Sequence, residues 1–305
     1  MTHDSRQLTQ FIKQTAAEAG FDACGIAAAT VLETEAMHLD SWLAAGCHAG
    51  MAYMARNVAK RANPALLVEN ARSVAVMLLN YKPPQRQPAS APQVAYYAYG
   101  VDYHDYIREK LAAVIAAVKT VAPETAIRGF VDTAPVLEKA WAVRAGLGWI
   151  GKNNLLISPT LGSFTFIATL MLDAPLEYAT QQEKNRCGKC TRCIDACPGR
   201  ALQPYRLNAH RCISYHNKRK GKNGVPLENY CFGCDYCQLA CPWNEKTPPH
   251  RMNRWTIPEI VNFSAGDWER LDEPAFNTIF ARSALQDVGF AKLKANLNVC
   301  TGKPS

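Results

Sequence analysis

Apolar positions along the first part of the chain recur with two periods. Leu8, Phe11, Ile12, Thr15 and Ala19 fall at helical spacing, so the N-terminus predicts an amphipathic helix. Four short apolar runs, bounded by turn or polar residues, predict strands at Ala23–Ala28, Ser73–Asn80, 126–131 and 164–172. Between them, Tyr103–Val121 carries Ile107, Leu111, Val114, Ile115 and Val118 on one face and predicts a helix. A second helix is predicted over 136–145. Residues 81–92 hold four prolines and predict a loop. Strands interleaved with helices make residues 1–178 a mixed α/β domain in a chain of the α+β class.

Beyond that domain the pattern changes. Nine of the twelve cysteines fall between Cys187 and Cys241, and only Cys24, Cys47 and Cys300 lie outside. Residues 179–250 are therefore expected to form a cysteine-rich domain. Residues 251–305 carry Trp255, Ile257, Ile260, Phe263, Phe276, Ile279, Phe280, Leu285, Phe290 and Leu293, and predict a short helical tail.

Composition narrows the class. Hydrophobic residues are 48% and charged residues 20% of the 305 positions, a globular rather than a disordered mix. No apolar run approaches the ~20 residues of a spanning helix, and the N-terminus has neither a secretory pattern nor a twin-arginine pair. A cytoplasmic protein without membrane attachment is expected, and a monomer. Twelve cysteines in a reducing compartment point to metal binding or redox work rather than disulfides.

The cysteine spacing is specific. Cys187-Gly-Lys-Cys190-Thr-Arg-Cys193-Ile-Asp-Ala-Cys197-Pro198 and Cys231-Phe-Gly-Cys234-Asp-Tyr-Cys237-Gln-Leu-Ala-Cys241-Pro242 both fit the C-x2-C-x2-C-x3-C-P run of two-cluster bacterial ferredoxins. Two-residue gaps wrap three thiolates around one cubane face, and the fourth cysteine of each run serves the other cluster. Zinc knuckles use two C-x2-C pairs, four ligands in all, and account poorly for two such runs. The first [4Fe–4S] cluster is expected on Cys187, Cys190, Cys193 and Cys241. The second takes Cys197, Cys234, Cys237 and either Cys231 or Cys212, with spacing alone favouring Cys231.

A wider set of motifs carries a family resemblance. It includes Met51-Ala-Tyr-Met-Ala-Arg56, Asp102-Tyr103-His104, Phe130-Val-Asp132-Thr-Ala-Pro-Val-Leu-Glu138, Ala145-Gly-Leu-Gly-Trp-Ile-Gly-Lys-Asn153, Arg211-Cys-Ile-Ser-Tyr215 and Cys234-Asp-Tyr-Cys-Gln-Leu-Ala-Cys-Pro-Trp-Asn244. In this order the chain resembles the epoxyqueuosine reductases, in a short form without their C-terminal helical-repeat domain. The resemblance implies a cobalamin bound by the N-terminal domain against a ferredoxin-like domain. It also implies cob(I)alamin recharged through two [4Fe–4S] clusters by an external low-potential electron donor. The reaction implied is reduction of epoxyqueuosine to queuosine at the wobble position of tRNA. It favours Cys212 over Cys231 as the remaining ligand of the second cluster, and implies that cobalt has no protein ligand below it.

The same resemblance makes Asp132 the proton donor. That role asks for a carboxyl still protonated near neutral pH, which apolar burial provides. On residues alone Asp132 reads equally as a helix N-cap. Arg56, Tyr97, Asp132, Lys152, Asn154, Ser214 and Asp235 are the candidate cobalamin contacts. Each has a plainer alternative: an exposed arginine, a packed strand face for Tyr96-Tyr97-Ala98-Tyr99, an ordinary glycine turn around Lys152, Asn153 and Asn154. His104 reads as a helix-start histidine. Asp102-Tyr103-His104-Asp105-Tyr106-Ile107 matches only half of the Asp-x-His-x-x-Gly cobalt-ligand motif.

Net charge is +8, and no acidic residue occurs from Ala196 to Leu227, where Arg200, Arg206, Arg211, Lys218, Arg219, Lys220 and Lys222 are basic. One-signed stretches suit phosphate contacts or a merely solvated loop; with the resemblance, tRNA is the expected partner. Two other readings share the cysteine runs. A cobalamin-dependent dehalogenase is disfavoured by the missing export signal and the basic stretch. A ferredoxin fused to a binding domain would need no corrin and no special role for Asp132.

Overall fold

The computed structural model describes residues 4–302. It opens with helix α1 (Ser5–Glu18), capped by Asp4, whose side chain accepts from the Arg6 N–H. Leu8, Ile12 and Ala16 form its buried face. Strand β1 (Ala23–Ala28), helix α2 (Glu33–Ala44), strand β2 (Ser73–Asn80), helix α3 (Tyr103–Val121), strand β3 (Ile127–Phe130), helix α4 (Glu138–Arg144) and strand β4 (Thr165–Leu172) follow. The strands form one sheet in the order β1-β2-β4-β3. All three pairings are antiparallel, so the domain is α+β in its connectivity. The helix predicted over 136–145 is shorter, because Pro135 precedes a bent entry that becomes helical only at Glu138.

Strand β2 shows why the apolar runs are continuous. Every residue of it is buried, and its side chains alternate between two cores. Ala75, Met77 and Leu79 face a core shared with α1 and α3. Val74, Val76 and Leu78 face a second one, with Trp141 and Ala142 of α4. A sheet covered on both faces needs no polar side.

The tail is no appendage. Trp255, Trp268, Phe276, Phe280 and Leu293 are fully buried in the same core as α1 and α3. The tail also abuts the start of α3: the Asp102 N–H donates to the Arg282 carbonyl at 2.6 Å. Its last helix, α6 (Gly289–Cys300), packs on the second cysteine run, where strand β5 (Tyr230–Phe232) pairs in parallel with residues Gln93–Val94. Helix α5 (Ile213–Lys218) lies between the two cysteine runs in sequence.

The loop over 81–92 is irregular, as the prolines require. The aromatic run after it is not a strand face. It is a 3-10 turn, Tyr96–Ala98, which buries Tyr96 and Tyr99 and leaves Tyr97 half-buried. Among the described residues, no helix is long and apolar enough to cross a membrane.

Candidate active site and cluster sites

The cysteine runs fold as paired loops. Each third cysteine lies in a short helix, Arg192–Asp195 or Tyr236–Leu239, and these two helices pack together. Cys241 caps the turn Pro242–Asn244, with proline at its first position. The crossing of the runs brings thiols of both to one place. Cys187, Cys190, Cys193 and Cys241 line a common cavity with Lys152, Asn153 and Arg186. Cys212, Cys234 and Cys237 have their thiol pKa raised first by burial and then by neighbours that in each case include Cys197, so the four thiols stand together. Cys231 stands apart from them. It is fully buried, donates its S–H to the Gln93 carbonyl at 3.3 Å, and has its pKa raised by burial and then by the neighbouring Cys300 thiol. The spacing preference for Cys231 is thus corrected: β5 carries its side chain into the core, while Cys212, just ahead of α5, faces the second group. Among the described residues no group of three His, Cys, Asp or Glu side chains is placed to hold a single metal ion.

Asp132 lies where β3 ends, in a left-handed backbone conformation with φ 48°. It caps no helix, because α4 starts six residues later with Leu137 at its N-cap position. Instead, Asp132 is tied on three sides. Its N–H donates to Glu138 Oε1 at 3.0 Å. Its Oδ2 accepts from the Tyr103 hydroxyl at 2.5 Å and stands 3.7 Å from His104 Nε2. His104 is more than a helix-start residue: its Nδ1 contacts Asp102 Oδ1 at 2.7 Å while the opposite ring nitrogen faces Asp132. Tyr103 stacks between His104 and Phe166, at 4.0 and 4.4 Å.

These contacts set the charges. The His104 imidazole, 3.7 Å away, holds Asp132 below the usual carboxylate range, outweighing burial. Burial pulls His104 down, but the neighbouring carboxylates of Asp132 and Asp102 leave it raised overall. The expected raising of the Asp132 pKa by an apolar pocket is not what the surroundings give: its side chain is 65% exposed and its pKa is lowered. Glu138 moves the other way: burial, with Asp132 adding, pushes it up to about 7. Lys139 beside it donates to the Asn154 carbonyl at 2.8 Å, which brings the predicted Asn154 to this cluster of groups.

Lys218, the last residue of α5, reaches the same place. Its ammonium stands 5.3 Å from the Tyr97 ring centre. Tyr97 beside it, with Asp132 and Cys212 further off, keeps its pKa above the ordinary lysine value. Gly233 allows this packing: at φ 66°, a Cβ there would lie 2.5 Å from that of Ala95 and 3.1 Å from the Tyr97 ring. Asp132, Lys139 and Lys218 are exposed to solvent. The Tyr97 ring beside these exposed hydrogen-bonding groups suits a corrin's flat face and amide rim.

The remaining candidates sit elsewhere. Lys152 does not join Asp132; its ammonium donates to the carbonyls of Gly188 and Cys190, at 2.7 and 3.0 Å, bracing the first cysteine loop. Asp235 is buried and accepts from the Tyr96 N–H at 2.7 Å and the Gln238 amide at 3.2 Å. It ties the second run to the aromatic turn and faces no cleft. Ser214 is half-buried in the first turn of α5. Arg56 is exposed, at the end of the turn Ala52–Ala55. Sequence reasoning passed over Tyr103, Glu138 and Lys218 as site residues. Tyr103 and Glu138 stood inside quoted motifs, and Lys218 was counted only among the basic residues.

Two thiol quartets beside a polar cleft define an iron–sulfur oxidoreductase. Comparison with known proteins agrees. Residues 61–133 match the family model "Epoxyqueuosine reductase QueG, DUF1730", and residues 186–244 match the "4Fe-4S double cluster binding domain". An epoxyqueuosine reductase of Cyclobacterium marinum is 43% identical over 97% of this chain and 98% of its own. The structure of an epoxyqueuosine reductase with a tRNA-Tyr epoxyqueuosine-modified stem loop matches with TM-score 0.88 and 28% identity, over 96% of this chain and 80% of that one. That of Streptococcus thermophilus matches with TM-score 0.85 and 26% identity, over 95% and 79%. The chain belongs to the epoxyqueuosine reductase family.

Proposed function

We propose that this protein reduces epoxyqueuosine to queuosine at the wobble position of tRNA, using cobalamin and two [4Fe–4S] clusters. The observation that carries the reading is the span of one short helix. Cys212, in the second thiol quartet, immediately precedes α5, and Lys218, beside Tyr97 and within electrostatic reach of Asp132, ends it. Six helical residues span about 9 Å, so an electron source and a proton source stand on either side of one cleft.

The reaction removes an epoxide oxygen as water and leaves an alkene, consuming two electrons and two protons. Bound cobalamin supplies a strongly reducing, nucleophilic cobalt for breaking the carbon–oxygen bond. Cys187, Cys190, Cys193 and Cys241 would hold the first cluster, and Cys197, Cys212, Cys234 and Cys237 the second. Tyr97, Asp132, Asn154 and Lys218 would border the corrin. Tyr103 and His104 both engage Oδ2 of Asp132, which leaves Oδ1 to serve the departing oxygen. His104 stores the proton while the cleft is open to water. Covering the carboxylate removes that water, raises its proton affinity and moves the proton onto Asp132.

The basic residues Lys218, Arg219, Lys220 and Lys222 are exposed, as phosphate contacts to an anticodon loop require. An external low-potential donor recharges the clusters, and the chain acts as a monomer in the cytoplasm. Anaerobic reconstitution tests the whole reading. The protein is expected to hold about eight irons and one corrin, and to convert epoxyqueuosine in tRNA. Iron-loaded protein that takes up no corrin would reduce the account to an electron relay.

A further inference from the structure

The cavity of the first thiol quartet is lined by a residue with a polar group that nothing among the described residues satisfies. Asn153 is 4% exposed and lines the cavity of Cys187, Cys190, Cys193 and Cys241. Its Oδ1 accepts from the Leu155 N–H at 3.2 Å, which fixes the orientation of the amide. The Nδ2 group on the other side is buried without a hydrogen-bond partner among the described residues. A buried amide donor left unpaired costs about 1–3 kcal/mol, so such a group marks a ligand atom it serves.

The surroundings hold Asn153 in place. It follows Gly151, where a Cβ would lie 2.5 Å from the Ile157 side chain and 2.6 Å from Asn153 Oδ1. Lys152 anchors the same turn to the cysteine loop through Gly188 and Cys190. Trp149 adds a second orphan donor, Nε1, in the apolar packing around Cys187 and Cys241.

We infer that the Asn153 side-chain amide donates a hydrogen bond to a sulfur of the first [4Fe–4S] cluster and raises its reduction potential relative to the second. The inference rests on the cluster assignment made above. A donor to sulfur stabilises the more negative, reduced cluster, which is how hydrogen bonds tune such centres. Asn153 is thus a tuning residue: it shapes the first cluster as an electron acceptor and touches neither substrate nor corrin.

Asn153→Leu and Asn153→Ala test this, since both lose the amide donor without supplying another donor or a charge. The full-length, cluster-loaded protein, without added cobalamin, is titrated with reductant while the EPR signals of the two clusters are followed. In both variants the reduced-to-oxidised ratio of the first cluster should fall about tenfold at a fixed potential, a downward shift of about 59 mV, with the second unmoved. Unchanged potentials overturn the inference, as does an equal shift of both clusters. Loss of the first cluster from both variants would make Asn153 a folding residue and overturn it as well. If the unaltered protein itself lacks a cluster on the first quartet, the assignment beneath the inference fails with it, and iron content distinguishes that case.

Discussion

The Tyr103 hydroxyl donates to Asp132 Oδ2 at 2.5 Å, joining the first turn of α3 to the loop after β3. With His104 on the same oxygen, the carboxylate is held low and the imidazole high. NMR titration of His104 in the corrin-free protein should find its pKa above the ordinary 6.5. In Asp132→Asn it should fall, because burial remains while the carboxylate's charge is gone. The sign carries into stability: a raised histidine stabilises the fold at low pH and loses that effect as pH rises through its folded pKa. The His104–Asp132 contribution should therefore fade above the ordinary histidine range, and should also fade as acid protonates Asp132.

Glu138 holds the Asp132 backbone in its left-handed conformation. Glu138→Gln keeps an acceptor for that N–H and should retain most activity. Glu138→Ala should open the 131–136 segment to limited proteolysis and lower turnover about tenfold, the equivalent of one lost hydrogen bond of about 1.4 kcal/mol. Equal proteolysis of the two variants would mean that Glu138 does not anchor the loop.

Changing Cys212 to Ala should remove the second cluster and leave about four irons, whereas Cys231→Ala should keep about eight. The reverse result would return the ligand to the position that spacing favours.

Asn296 of α6 is buried and donates to the carbonyls of Asn217 and Cys231 at 2.7 and 2.9 Å. Asn296→Ala leaves both without that donor and should cost about 1–3 kcal/mol, seen as a lower midpoint of thermal unfolding. An unchanged midpoint would show that the tail does not brace this region.

Periodicity made α1, α3 and the central strands legible, because each buries a regular apolar face. The two cysteine runs were legible because their spacing encodes loop geometry. The ninth cysteine was not: Cys231 fits the spacing, and only the inward turn of β5 removes it from the cluster group. The charge on Asp132 was also hidden, since it depends on Tyr103 and His104 arriving from nearly thirty residues earlier in the chain. Lys152 looked like a ligand contact beside a glycine turn, yet its partners lie 36 and 38 residues onward. Long-range partners of this kind leave no local pattern.

The most direct test is reduction of epoxyqueuosine-containing tRNA by reconstituted protein, compared with Asp132→Ala. The variant should keep both clusters, corrin and tRNA binding while its single-turnover rate falls about 10²–10⁴-fold. A variant that reduces the modified base at the unaltered rate would contradict proton delivery by Asp132.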